Sequence, residues 1–166
     1  MTEITVANRD WGIIAALKSA LAGATIAGSR VFAAVSVTTS PRQADQCQFK
    51  ASPIAVLRYL TTAEQESPDE HYACAVHLEL TVAAKVNAPG TDESSRLQEI
   101  LRLLGAARNA INASKPAESC AWGDADFYVR RVEFDKAQVD AAESLPWAVA
   151  RLPLTVGYTI DNDTSH

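Results

Sequence analysis

What this chain most plainly lacks is an excess of basic charge. Fifteen Lys and Arg stand against 20 Asp and Glu, for a formal net charge of −5 and a pI near 5.2. Such a chain is poorly suited to gripping nucleic acid by its phosphates. Cysteine is scarce too: Cys47, Cys74 and Cys120 are too few and too scattered for a disulfide framework, which favours a reducing compartment. Long apolar runs are missing. The stretch from Trp11 to Phe32 is interrupted by Lys18, Ser19 and Ser29 and diluted with Gly and Ala. It reads as an amphipathic helix followed by a strand, not as a signal peptide or a membrane span. Aromatic residues make up only 7%, with 48% hydrophobic and 21% charged residues, as in ordinary soluble globular proteins. The length predicts one domain over residues 1–166, with a flexible tail at 161–166.

Motifs that carry chemistry are equally sparse. No serine sits in a G-x-S-x-G elbow, and Gly23 and Gly28 lack both the Walker lysine and the dinucleotide spacing. His71, Cys74, His77 and Glu79 crowd together and are all residue types that bind zinc or iron. On a strand, however, Cys74 points away from the face carrying His77 and Glu79, so the group cannot close one coordination shell. Cys120 lies near Ser119, Trp122 and Asp124, with no histidine indicated beside it. Asp124, Asp126, Glu133 and Asp135 are scattered as solubilising charges usually are. The sequence therefore predicts no catalytic residue, no metal ligand and no cofactor, and a protein that is not an enzyme.

What is present is alternation. From Tyr72 to Val86, the side chains of Tyr72, Cys74, Val76, Leu78, Leu80, Val82, Ala84 and Val86 fall on one side. His77, Glu79, Thr81 and Lys85, with three alanines, fall on the other. A period of two is the mark of a strand with one buried face. At about 3.3 Å per residue this strand spans about 50 Å, against about 17–20 Å for a typical one. Part of it is expected to project beyond the core or to be covered by another subunit. Ile54 to Leu60 forms a second apolar run, opened by Pro53. The acidic stretch Thr61 to Glu70, with its Ser67-Pro68-Asp69 turn, joins the two into a long hairpin.

The remaining segments fill in the domain. Asn8 or Asp10 is expected to cap a first helix running to about Leu21, with Trp11, Ile14, Leu17 and Leu21 as its apolar stripe. Arg30 to Val37 reads as a strand, and Thr38 to Gln48 as a loop with a short edge strand near Cys47 to Phe49. After Ala88-Pro89-Gly90, Thr91 or Asp92 caps a second helix whose stripe is Leu97, Ile100, Leu101, Leu104 and Ile111. Phe127 to Phe134 reads as a strand and Asn112 to Gly123 as a loop. Trp147 to Ile160 alternates again, and Pro153 within it argues for an edge position or a bulge. The expected fold is a two-layer α+β domain: an antiparallel sheet of four to five strands with a long projecting hairpin, covered by two main helices.

In layout, this order resembles the tail terminator (tail completion, minor tail) proteins of tailed bacteriophages. The features that carry the likeness are an N-terminal helix holding Trp11-Gly12-Ile13-Ile14-Ala15-Ala16-Leu17-Lys18 and a strand opened by Ser29-Arg30-Val31-Phe32. The long hairpin, the amphipathic helix and a closing strand Leu152-Pro153-Leu154-Thr155-Val156 follow. The resemblance implies a structural virion protein found in the tail or neck, and in the host cytoplasm during assembly. Such proteins cap the head-proximal end of the tail tube as a homo-oligomeric ring, commonly a hexamer. Its partners are then further copies of itself, the tail tube protein and the head connector or neck protein. DNA passes through without sequence-specific binding, and no membrane is involved. A ring is a heterologous contact that closes on itself, and the 54–86 hairpin is expected to extend or cross a neighbour's sheet. His77, Glu79, Thr81, Arg130 and Arg131 are the candidate subunit-interface residues. Two other readings are another neck or tail-tube component, and a bacterial α+β domain that binds a ligand or protein.

Overall fold

The computed structural model describes residues 6–41, 51–66, 71–86, 91–114, 128–143 and 145–161. Helix α1 (Val6–Ala22) buries Ile13, Ile14, Leu17 and Leu21. Because Ile13 belongs to this stripe, the stripe's centre moves away from Trp11, which is 59% exposed rather than buried as expected. The helix begins before both Asn8 and Asp10, so neither is its cap, and Asp10 sits in its second turn. After the helix, β1 (Thr25–Ile26) and β2 (Ser29–Arg30) form a small hairpin. Its two central residues, Ala27 and Gly28, both have positive φ (51° and 82°), as a tight two-residue reversal requires.

Among the described residues the main sheet contains six strands. Five lie in the order β3 (Ala34–Thr38), β4 (Ile54–Glu66), β5 (His71–Lys85), β8 (Trp147–Asp161), β6 (Tyr128–Phe134), and β7 (Gln138–Asp140) pairs with β8 beside β6. The long hairpin expected is β4 with β5, paired from Ile54↔Ala83 to Glu66↔Tyr72, but β4 continues through residues 61–66, which are expected from their acidic composition to belong to the connecting loop. β5 is also paired along its whole length to β8, from His71↔Asp161 to Lys85↔Trp147. One pairing departs from the antiparallel expectation: β3 runs parallel to β4. Parallel neighbours need a crossover of a dozen or more residues, and residues 39–53 supply that length.

Pro153 is not on an edge strand. β8 lies between β5 and the β6–β7 pair, and Pro153 falls where the ladder passes from β6 (Phe134↔Leu154) to β7 (Gln138↔Arg151). Its carbonyl accepts from Asp135 N–H at 2.9 Å on that side. In an antiparallel strand a residue's N and O point the same way. The missing proline N–H therefore faces the break in the ladder, where no bond is lost.

Helix α2 (Glu93–Ser114) is capped by Asp92, whose Oδ1 accepts from Ser95 N–H at 2.8 Å. This bond to the Ser95 backbone is the main reason the Asp92 carboxyl titrates below its usual 3.8. Ile100, Leu103, Leu104, Ala107 and Ile111 face the sheet, while Leu97 and Leu101 lie on the flank and are exposed. Arg96 Nε donates to Ala141 O at 2.7 Å, and Arg108 lies over the Phe134 ring at 5.5 Å. Both contacts fasten α2 to the β6–β7 side of the sheet. The two helices cover one face of the sheet, and the core runs through Ala55, Leu57, Val76, Leu78, Leu80, Val82, Ala150, Leu152, Leu154, Val156 and Tyr158. This is the α+β architecture expected, a sheet covered by helices. Among the described residues no helix is long and apolar enough to cross a membrane. Of the expected 112–123 loop and 161–166 tail, residues 112–114 belong to α2 and Asp161 to β8; the rest of both, the expected edge strand near Cys47 and the Ser67-Pro68-Asp69 turn lie outside the described residues.

Candidate assembly surface

The register sorts the candidate residues. His77, Glu79 and Thr81 alternate along β5 with the core residues Val76, Leu78 and Leu80, so all three point away from the helices. Across the sheet, Thr61, His77, Thr155 and Glu133 form one row on this face, away from α1 and α2. Ala63, Ala75, Gly157 and Arg131 form the next. His77 Nδ1 and Thr155 Oγ1 are 3.1 Å apart, and Arg131 Nη1 reaches Glu133 Oε1 at 3.4 Å. A Cβ on Gly157 would lie 2.9 Å from Arg131 Cγ and 3.0 Å from its Nε. The arginine stem therefore lies across the glycine, which explains why this row has no side chain there.

The candidate group does not act as a unit. Glu79 Oε1 faces Arg58 Nε of the neighbouring strand at 3.8 Å, an ion pair within the protomer. Thr81 is fully buried (0% exposed), so it offers no surface to a partner. Arg131 is exposed, with 57% of its side chain accessible. Arg130 is the extra residue of a bulge between Val129 and Arg131, and its side chain lies outside the described residues. Cys74 is buried on the helix side while His77 lies on the other, so the two do not share a shell. Among the described residues no group of three or more metal-ligating side chains converges.

β5 has no edge to offer a neighbour's strand, because both its edges are already paired. The outer edge of β4 is different. β3 pairs with it only from Ile54 to Arg58. From Tyr59 to Glu66 no described strand pairs on that side. On the opposite margin, no described strand pairs with the outer edge of β6.

A buried polar network, not foreseen from sequence, fixes where this part of the sheet leaves the helix. Asp10 Oδ2 accepts from Thr62 Oγ1 at 2.7 Å, and Asp10 Oδ1 accepts from Tyr158 OH at 2.6 Å. The Thr62 hydroxyl has one hydrogen, already donated to Asp10, so Tyr59 OH donates to Thr62 at 2.5 Å. Burial, then the Asp10 bond and charge, push the Tyr158 phenol well above its ordinary value. It stays protonated and acts as a donor. One helix carboxylate thus ties both β4 and β8. The sequence signal is slight: a single Asp one turn before the apolar stripe of α1. No protein-family model and no curated protein matches this chain.

Proposed function

We propose that this chain is a structural ring-forming protein of a phage tail, a terminator that closes the head-proximal end of the tail tube and meets the head connector. The observation that carries this reading is the length and placement of the β4–β5–β8 ribbon. Its strands run 13, 15 and 15 residues, and their pairing continues beyond Cys74 and Tyr158 to Glu66↔Tyr72 and His71↔Asp161. A ribbon this long, flanked by two strand edges that no described strand covers, suits a protein completed by copies of itself. The layout resemblance to tail terminators agrees with it, and the acidic net charge of −5 suits a ring that DNA passes without holding fast.

Native mass spectrometry of the full chain, with negative-stain microscopy, tests the reading. A closed ring of one stoichiometry is the expected result. An open filament favours a tube subunit instead, and a monomer at all concentrations overturns the ring.

A further inference from the structure

Resting on the ring reading, the geometry points to a specific contact: the outer edge of β6 in one copy pairs antiparallel with the outer edge of β4 from Leu60 to Glu66 in the next. The two edges lie on opposite margins of one sheet and at the same level along the strands. Ala63 is opposite Ala75, Ala75 opposite Gly157, and Gly157 opposite Arg131. One row therefore runs straight from one edge to the other, and the Thr61–Glu133 row does the same.

Strand direction fits as well. β4, β5, β8 and β6 alternate in direction across the sheet. A neighbour related by rotation about a ring axis presents its β4 antiparallel to β6, and the alternation continues without a fault. The two edge segments are residues 60–66 and Tyr128–Phe134. Neither segment contains proline, so neither lacks a ladder donor. Each edge strand also carries a bulge, at Tyr59/Thr61 in β4 and at Val129/Arg131 in β6. Bulges bend a strand and discourage indiscriminate pairing, and a closing sheet needs the bend.

The pairing assigns a role to the exposed side chains. α1 and α2 both lie on one face, and helices about 10–12 Å thick would obstruct a hole if they lay inside the ring. They belong outside, which turns His77, Thr155, Arg131 and Glu133 toward the hole. These residues then line the passage rather than the subunit contact. Main-chain hydrogen bonds hold the copies together.

Disulfide cross-linking separates this inference from the ring reading. Four double variants combine Thr61→Cys or Ala63→Cys with Arg131→Cys or Glu133→Cys, covering register shifts of two residues either way. All four positions are exposed, so folding is not at risk. Within one copy the paired positions are three strand spacings apart, about 14 Å, too far for a disulfide. A bond therefore joins two copies. The single-cysteine variants control for Cys47, Cys74 and Cys120. The inference expects a covalent ladder on mild oxidation, rising to the ring's full number, in at least one double variant and in no single variant. Rings that form without a ladder in any pairing overturn the edge contact and leave the ring reading standing. Cross-linking that stops at dimers also overturns it. A wild-type chain that stays monomeric overturns both.

Discussion

The two ends of the main sheet are built from the same strands but are enclosed differently. At the end holding Ile54, Val56, Ala83 and Val149, the face away from α1 and α2 is itself buried, with Ala34 and Trp147 packed against it. At the other end, Thr61, Ala63, Arg131 and Glu133 on that same face are exposed, while the helix side still buries Val76, Leu78, Val156 and Tyr158. The composition of the rows follows this difference. The enclosed end adds apolar Ile54, Val56, Ala83 and Val149 beside the polar Thr81 and Arg151 on that face, whereas the open end carries polar or small residues there. The difference teaches that β4 serves two purposes: Ile54–Leu57 belong to the core and are flanked by β3, while from Tyr59 on it presents an edge that no described strand pairs.

Substitutions at the two ends should separate these purposes. Leu80→Ala, in the enclosed middle of β5 at 0% exposure, should cost about 2–5 kcal/mol in urea unfolding, the largest effect of the set. Asp10→Ala removes the acceptor of both Thr62 and Tyr158, and should cost about 1–3 kcal/mol. Its signature should be local, with faster amide exchange in residues 59–62 and 156–158 than at the enclosed end. Gly157→Ala forces the Arg131 stem aside. Because that side chain is long and exposed, the cost should be only about 0.5 kcal/mol and should vanish when Arg131→Ala is added, as a double-mutant cycle would show.

The smallest effect is expected at Asp92, far from the open end. Its folded-state carboxyl titrates below the ordinary 3.8, so its stabilisation is complete above that value and is lost as pH falls through the lower native one. Asp92→Ala should melt below wild type at neutral pH, with the gap closing once the pH is under about 3.8.

Much of this fold was legible from periodicity. The β4–β5 hairpin, the inward set of β8 from Ala148 to Tyr158, the Asp92 cap and both main helices follow from alternation, stripe and capping chemistry. The misreadings have physical causes. Trp11 was placed in the core because a stripe drawn through four residues ignores the fifth, Ile13, that shifts its centre. Pro153 suggested an edge because one strand's sequence does not reveal that its neighbours change beside it. The parallel β3 was invisible, since direction depends on a crossover and not on the strand's own residues. The candidate assembly surface is half legible. Alternation gave the face of His77 and Glu79, but only the cross-strand register reveals that β5 has no edge to offer. The same register sets Ala63 and Arg131 at one level on opposite margins.

Amide hydrogen exchange on the full chain, dilute and assembled, tests the central claim most directly. Edge pairing between copies predicts that residues 60–66 and 128–134 gain protection together on assembly, while Ile54 to Leu57 and Leu80 to Ala84 are equally slow in both states. Rings in which those two edges still exchange as fast as in the dilute chain would contradict it.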